Sequence, residues 1–266
     1  AYEIRNCDWS SDVCSSDLMF TFPFTNFSVD GWVNNLSTTF DGVDEYITVP
    51  DDASLDITSN LSVFFWVKAG ADATFDPLLS KFEYTTNQRS WRVAFNARHL
   101  QVAIYQDVAG TNYKDYRTTG TWVANDLWHH VGFTFSNDNL KLWVDGVDRT
   151  PGTPTRDDTV TAIAVSTAPF EIGSLLDDPT YFTGQMDEVA IWDSTLSSTE
   201  ITEIYNSGVP IDLRKNTGDY TSASSLVSYY RMGDGDTGTT LTDNKGSNDG
   251  TLTNMTTANY TTDVPS

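Results

Sequence analysis

The feature that most constrains the fold is a succession of short apolar stretches separated by turn residues. The stretches are rich in Val, Ile, Phe, Tyr and Trp, and the turns are rich in Gly, Asp, Asn and Thr. Strands of this composition and spacing are typical of a sandwich or barrel. The sequence therefore predicts an all-β fold, a sandwich of two antiparallel sheets. The predicted strands are Tyr46–Val49, Leu61–Lys68, Ser90–Asn96, Leu100–Gln106, His129–Ser136, Leu140–Val144, Phe170–Gly173 and Gln185–Asp193.

Local patterns refine this prediction. Alternation along one stretch places Leu100, Val102 and Ile104 on one face of its strand. The dipeptide Asp145-Gly146 between apolar residues predicts a two-residue hairpin turn. One short helix is expected near residues 197–207. Ser197 with Glu200 three residues later is a capping box, and Gly208 is expected to end the helix.

The first eighteen residues are expected to be foreign to the protein. The stretch Asp8–Leu18 back-translates to a nucleotide string that resembles a sequencing adapter, and Ala1–Ile4 resembles its upstream part. The alternative is a natural N-terminal segment. If residues 1–18 do not belong to the fold, Cys7 and Cys14 are lost with them, and neither a disulfide nor a thiolate metal site is expected.

Composition limits the partners. The chain carries 37 Asp and Glu against 15 Lys and Arg, a formal net charge of -22. A surface this acidic repels phosphate backbones, so no nucleic-acid partner is expected. No apolar run approaches the roughly 18 residues that a membrane helix needs, so membrane insertion is not expected either.

Several segments, in order, resemble bacterial laminin-G-like domains. They are FDGVDEYI at Phe40–Ile47, LSVFFWVK at Leu61–Lys68, WHHV at Trp128–Val131, LWVDG at Leu142–Gly146 and GQMDEVAIW at Gly184–Trp192, followed by the helix. The resemblance implies a concanavalin A-like jelly roll of two face-to-face sheets, one of them concave, with its core in residues 35–213.

The tail, residues 214–266, allows two interpretations. Leu226–Gly235 resembles the segment that usually begins such domains, yet here it follows the helix. Either a second domain is cut short, or the tail completes the sandwich in permuted order. We favour the permuted order and one domain over residues 19–266, because an unpaired strand with Tyr229 and Tyr230 would be an aggregation-prone edge.

The carboxylates do not form the pattern of a hydrolase. Related glucanases place two carboxylates on one strand, about 5–5.5 Å apart, for retaining hydrolysis. Here Asp187 and Glu188 are adjacent, so alternation is expected to point them to opposite faces. His130 is expected to be a hydrogen-bonded structural residue rather than a base. The sequence therefore predicts a protein that is not an enzyme.

The resemblance implies one structural calcium ion that joins the opening strand to the closing strand. The positions that match are Asp41, the carbonyl of Gly42, and Asp187. Carboxylates and carbonyls are the oxygen ligands that calcium prefers. The alternative is that Asp41-Gly42 is only a turn and that Asp187 is only an outward charge.

A carbohydrate site needs aromatic faces beside amides, carboxylates or arginines. Two segments, 84–89 and 105–117, offer this mixture. Their candidate ligand-binding residues are Tyr84, Arg89, Tyr105, Asn112, Tyr113 and Tyr116. The alternative is that Tyr113 and Tyr116 are ordinary surface aromatics of a strand.

These observations predict a non-catalytic module that binds a glycan or a cell-surface polysaccharide. We expect it outside the cell or on a virus particle, as part of a larger protein or assembly. A purely structural module without a sugar site is the first alternative. A glycoside hydrolase is the second, and it would require two carboxylates that face each other in a groove.

Overall fold

The computed structural model describes residues 32–70, 75–121, 123 and 125–266. The segment 1–18 lies outside the described residues. The fold is that of residues 34–266, which form one compact unit. The described part is mostly β, as predicted, and all strand pairs of its two sheets are antiparallel.

The first sheet has eight strands. In spatial order they are β10 (Val147–Asp148), β9 (Asn139–Val144), β8 (Trp128–Ser136), β3 (Asn60–Ala69), β13 (Thr183–Trp192), β1 (Ser37–Asp41) and β17 (Tyr260–Thr261). The eighth strand, β14 (Leu226–Tyr230), also pairs with β13. Because β1 and β14 both use β13, they lie end to end along one edge of it.

The second sheet has nine strands. In spatial order they are β11 (Arg156–Asp157), β7 (Tyr113–Arg117), β6 (His99–Tyr105), β5 (Gln88–Asn96), β4 (Asp76–Glu83), β12 (Phe170–Ile172), β2 (Tyr46–Val49), β16 (Gly250–Thr253) and β15 (Thr240–Leu241). Every predicted strand is present, with ends that differ by at most two residues. Strands β1, β4 and β7 were not predicted, because their sequences carry too many polar residues.

The core lies between the sheets. Phe65 and Phe133 of the first sheet and Trp91 and Phe170 of the second belong to one buried cluster. Leu100, Val102 and Ile104 also join it, which confirms the predicted face of β6. Full burial of each such side chain contributes about 1.5–3 kcal/mol.

The helix α1 (Ser198–Tyr205) packs on the outer face of the first sheet. The predicted capping box is present: Ser197 accepts from the Glu200 amide, and the Glu200 side chain accepts from the Ser197 amide. The end of the helix differs from the prediction. Asn206 adopts the left-handed cap conformation, and Gly208 instead ends a short 3-10 turn, Asn206–Gly208. Other 3-10 turns are Ala53–Leu55, Ala223–Ser225 and Thr257–Asn259.

The tail contributes strands to both sheets. Strand β14 pairs with β13, β16 pairs with β2, and β17 pairs with β1. The acidic turn between β15 and β16 is held by Asp243. Its carboxylate accepts backbone N–H bonds from Tyr229, Lys245, Gly246 and Asn248. This aspartate therefore forms a turn and ties it to β14.

His130 of β8 is a structural residue, held by stacking rather than by side-chain hydrogen bonds. Its ring lies 5.4 Å from that of Phe64 and 5.0 Å from that of Trp66. Among the described residues its Nδ1 has no hydrogen-bond partner. Burial lowers the pKa of His130 from 6.5 to about 3, and the nearby Asp145 opposes this shift only in part.

In the described part of the chain, no helix has the length and apolar character that a membrane crossing requires.

The burial of His130 predicts that the folded protein loses stability in acid. The unfolded chain takes up the proton of His130 below pH 6.5, whereas the folded chain takes it up only near pH 3. The contribution of neutral His130 to the free energy of unfolding is therefore complete above pH 6.5. It falls by about 1.4 kcal/mol per pH unit as the pH decreases towards 3. His130→Phe should flatten this slope between pH 6 and pH 4, measured by urea unfolding at each pH. If the free energy of unfolding of the variant and of the parent changed equally with pH, the lowered pKa of His130 would be contradicted.

Candidate functional site

The outer face of the nine-stranded sheet carries a row of residues that are polar except for Ala103. Cross-strand pairing places them side by side, perpendicular to the strands. In order they are Glu171, Ser80, Arg92, Ala103, Asp115 and Arg156. Polar residues are ordinary on the outer face of a sandwich sheet, but Ser80, Asp115 and Glu171 are buried here, which is unusual for such groups. The row therefore identifies this face as a candidate binding surface.

A pocket of about 480 Å³ opens on this face. Phe82 of β4, Arg92 of β5, Tyr105 of β6 and Tyr113 of β7 form its floor. Three connections form its rim: the β4–β5 turn, the β6–β7 loop and the β12–β13 loop. The rim residues are Tyr84, Arg89, Ala109, Gly110, Leu175, Leu176, Asp177 and Asp178. The volume lies within the range of ordinary ligand pockets, about 300–1,000 Å³. Tyr84, Arg89, Tyr105 and Tyr113, predicted from sequence, thus lie in one pocket.

Aromatic rings continue across the floor. Tyr105 and Tyr113 stack with their ring centroids 4.9 Å apart, and Phe82 lies 5.4 Å from Tyr105. The guanidinium of Arg156 lies 4.0 Å from the centroid of Tyr113. At the rim, Tyr84 is 66% exposed, the most exposed large apolar side chain of the pocket. Its ring is therefore the most accessible aromatic surface of the pocket.

Arg89 shapes the pocket rather than reaching into it. Its guanidinium donates to the side-chain oxygen of Asn87 and to the backbone carbonyls of Tyr84, Val108 and Ala109. It also lies 4.8 Å from the ring centroid of Tyr84. These donors bind acceptors of the protein. Arg89 therefore acts as a clamp between the turn at Tyr84 and the loop at Val108 and Ala109, in place of the predicted ligand contact.

Arg92 is the central cation of the floor, and the sequence reasoning missed it. It donates through Nε to the hydroxyl of Tyr105 and through Nη2 to Asp115, both at 3.3 Å. Asp115 also accepts two bonds from Gln101. Burial raises the pKa of Asp115, and the charge of Arg92 opposes that rise. Trp91 and Val93 on either side of Arg92 point into the core. The alternation of side chains along the strand could therefore have placed Arg92 on the outer face.

Asn112 and Tyr116 do not line the pocket. The Asn112 side chain donates to the carbonyl of Thr159 and so holds its loop. Tyr116 lies three residues after Tyr113 on the same strand, so it points to the opposite face and packs against the core. Its hydroxyl donates to Asp157 at 2.7 Å. The predicted ligand contacts of these two residues are therefore not supported by the geometry.

The two aspartates of the rim are engaged locally. Asp177 accepts from the amide and the hydroxyl of Thr85, which joins the rim loops. Asp178 accepts from the amide and the hydroxyl of Thr180, a local turn. Each carboxylate keeps further lone pairs, so both can accept from the hydroxyl groups of a ligand.

The residues predicted to hold calcium lie apart. Asp41 pairs with Thr183 at one end of the β1–β13 ladder, whereas Asp187 lies four residues further along β13, roughly 13 Å away at 3.3 Å per residue. Asp41 is exposed and accepts from the Val43 amide, and Gly42 has a φ of 75°, so this segment forms a turn. A calcium ion stays a prediction, but Asp41, Gly42 and Asp187 do not form one site for it.

Asp187 and Glu188 lie at a β-bulge. Strand β13 advances three residues, from Asp187 to Ala190, while β3 advances two, from Trp66 to Phe64. Glu188 is the extra residue and has a φ of 50°. Simple alternation therefore does not hold here, and both carboxylates are buried. In the described part of the chain, no three side chains of His, Cys, Asp or Glu are placed to hold a metal ion.

Comparison with known proteins identifies the architecture. Residues 41–202, more than half of the chain, match the Laminin_G_3 family, described as the concanavalin A-like lectin/glucanases superfamily. The fold is similar to a protein from Bacteroides ovatus ATCC 8483 described as a candidate carbohydrate binding protein. The TM-score is 0.64 at 18% identity, over 87% of this chain and 61% of that one.

Two further comparisons are more limited. The binding domain of Paraclostridial Mosquitocidal Protein 1 has a similar fold, with a TM-score of 0.50 at 16% identity over 67% of this chain and 48% of that chain. Adhesion G-protein coupled receptor V1 from Danio rerio is 26% identical over 131 residues, which is 49% of this chain. The chain spans only 2% of that receptor.

The clamp role of Arg89 gives a prediction. Arg89→Ala should lower the free energy of unfolding by about 1.5–3 kcal/mol, because the half-buried hydrogen bonds from a charged donor to the rim carbonyls are lost. It should also speed hydrogen exchange at the rim amides, including that of Gly110, which donates to the Asp107 carbonyl. Arg117→Ala is the matched control, since Arg117 is exposed and lies outside the pocket. Unchanged exchange in the Arg89 variant would refute the clamp.

Proposed function

Because the chain belongs to the concanavalin A-like lectin/glucanases superfamily, we propose that it is a non-catalytic carbohydrate-binding module whose pocket on the nine-stranded sheet holds a glycan. The observation that carries this proposal is the exposed ring of Tyr84 at the rim of a pocket with an aromatic floor. Aromatic faces suit the C–H side of a sugar ring. The description of the B. ovatus neighbour as a candidate carbohydrate binding protein supports the same choice.

The polar groups of the pocket suit hydroxyl groups rather than charges. Arg92 can donate from the floor, and Asp177 and Asp178 can accept at the rim. Both arginines of the pocket already have partners in the protein: Arg92 pairs with Asp115, and Arg89 binds loop carbonyls. Two aspartates lie at the rim, and the net charge of -22 repels an acidic sugar. The proposed ligand is therefore a neutral glycan.

The absence of catalysis is part of the proposal. Retaining hydrolysis needs one carboxylate on each side of the scissile bond, about 5–5.5 Å apart, and inverting hydrolysis needs a wider pair. Asp177 and Asp178 are neighbours in one rim loop, and both are used in turns or loop contacts. Asp115, beside the floor residue Arg92, accepts from Gln101 and from Arg92. This arrangement favours binding over cleavage.

We place this activity outside the cell, in a larger protein. The likeness to part of an adhesion receptor supports this location, and so does the family to which the chain belongs. A module with one modest pocket gains affinity when several copies act together on a repetitive glycan. A glycan-coated surface is therefore the proposed target.

Glycan binding should depend on Tyr84. An array of neutral and acidic glycans would identify a ligand, and calorimetry would then compare variants. Tyr84→Ala should weaken binding roughly tenfold, because a lost aromatic contact costs about 1–1.5 kcal/mol. Its high exposure makes an effect on folding small. Raising the salt concentration should change the affinity little, since the ligand is neutral.

Tyr46→Ala is the matched control. Tyr46 belongs to the same sheet but does not line the pocket, so its loss should leave affinity unchanged. Equal losses in both variants would place the site elsewhere. Binding to no glycan would favour a structural module, and release of reducing ends from the bound glycan would show an enzyme.

A further inference from the structure

A second pocket, of about 430 Å³, opens on the outer face of the eight-stranded sheet, beside the end of α1. Its aromatic side chains are Trp66 of β3, Trp128 of β8 and Tyr205 of the helix, and its carboxylates are Asp126 and Asp145. We name it the acidic aromatic pocket. The described residues that line it all differ from those that line the pocket of the nine-stranded sheet. It is therefore a separate place for a ligand.

Strand alternation directs the aromatic rings to this outer face. Val67, the neighbour of Trp66, belongs to the core between the sheets, so Trp66 points away from that core. The cross-strand partner of Trp66 is His130, and Trp128 lies two residues before it, so Trp128 shares the same face. The ring of Tyr205 stacks on that of Trp66, with the centroids 5.9 Å apart. The sheet and the helix thus build one aromatic wall.

Two carboxylates stand beside this wall. One oxygen of Asp145 accepts from the His130 amide at 3.0 Å, and the other lies 2.8 Å from Nδ1 of His129. The side chain of Asp145 is still 29% exposed, and each of its oxygens keeps a further lone pair. Asp126 is exposed, and its amide donates to the Ala69 carbonyl, which anchors the backbone that carries its carboxylate. Both aspartates can therefore accept hydrogen bonds from a ligand.

The charge of these aspartates is not balanced by the wall. Among the described residues that line the pocket, none is Lys or Arg. Lys68, which pairs with Trp128 across β3 and β8, lies 2.6 Å from the carboxylate of Asp263. The indole N–H of Trp128 donates to that same carboxylate at 3.1 Å. The pocket therefore keeps a negative potential, in a chain whose net charge of -22 repels anions and attracts cations.

The lining selects a particular kind of cation. Aromatic faces attract an organic ammonium group, and carboxylates accept its N–H bonds. The room greatly exceeds that group, because a water molecule takes only about 30 Å³ of liquid. Leu127 at the rim is 58% exposed, so an apolar surface lies beside the rings. Apolar and aromatic surfaces suit the C–H side of a sugar ring. An ammonium group carried by a sugar uses all of these features.

We propose that the acidic aromatic pocket is a second binding site, which takes an amino sugar through its charged ammonium group. Asp126 and Asp145 accept the N–H bonds of that group, and Trp128 and Leu127 contact the sugar ring. The partner is a glycan whose amino groups are free rather than acetylated. This site is independent of the neutral-glycan site proposed above, because it lies on the other sheet.

The first test compares two trimers that differ only in charge. The probes are the β-1,4-linked trimer of glucosamine and its fully N-acetylated form, at a mildly acidic pH at which the free amines are charged. Calorimetry uses the Tyr84→Ala chain, so that the other pocket contributes little. The amine trimer should bind at least about tenfold more tightly, and added salt should weaken it. Equal affinity for the two trimers would overturn the proposal.

The second test removes one carboxylate. Asp126 has a φ of 58°, a left-handed conformation that Asn also adopts readily, so Asp126→Asn changes the charge without backbone strain. Binding of the amine trimer should weaken about fivefold, the upper range for an exposed ion pair.

Asp193→Asn is the matched control. Asp193 is exposed and follows Trp192, which pairs with Ser62, seven residues or roughly 23 Å along β3 from Ala69. The same loss of charge there should leave the affinity nearly unchanged. Equal weakening by both substitutions would show only a general attraction to an acidic chain and would refute the site.

Nuclear magnetic resonance locates the ligand. The indole N–H signal of Trp128 should shift when the amine trimer is added, in the parent and in Tyr84→Ala alike. Binding that leaves this signal unchanged would place the amine elsewhere. Tighter binding of phosphocholine than of the trimer would reject the sugar as the source of the ammonium group. A chain that binds a neutral glycan but not the amine trimer would refute this site alone and leave the other pocket's function intact.

Discussion

The structure depends on the pairing of β13 with three neighbours at once. Strand β3 pairs along one side of it, and β1 and β14 share the other side, one on each side of the bulge at Asp187–Glu188. Without the extra residue at the bulge, β1 and β14 would both have to pair with β13 in a single continuous register. The bulge lets each strand end keep its own register, and Arg231, Glu188 and Asp234 lie at this joint between the two strand ends.

This joint explains how the tail belongs to the fold. The tail strands enter both sheets, and β17 pairs with β1 far away in sequence. Side chains of β1 add contacts to the same tail: Ser37 donates to the Asp263 carbonyl, and Thr38 donates to the Met232 carbonyl. Polar side chains on a strand are thus used to join distant segments. Folding must therefore bring the two ends of residues 34–266 together, which is a slow kind of contact to form.

The pocket lies in the other sheet, away from this joint. Its floor is a set of paired strands, so the positions of Arg92, Tyr105 and Tyr113 are fixed by the ladders of β5, β6 and β7. Its rim is made of loops, and Arg89 ties two of them together. A rigid floor with a held rim loses little conformational freedom when a ligand binds, which favours a preformed binding site.

The sequence by itself determined the fold class, most strands, the capping box and the family, because these depend on local periodicity and on ordered motifs. It also identified Tyr84, Arg89, Tyr105 and Tyr113, since aromatic and polar residues clustered in two segments. Strand β7 was not among the predicted strands, so the sequence did not show that Tyr113 and Tyr116 point to opposite faces.

Only the tertiary structure decided which of these residues meet. The separation of Asp41 from Asp187 follows from the register of β1 on β13, and no local pattern encodes that register. The contact of Arg231 with Glu188 likewise depends on the bulge, and the Asn35–Asp234 hydrogen bond joins segments nearly 200 residues apart. Contacts of this kind arise from long-range strand pairing, because a strand's own sequence does not specify its neighbour.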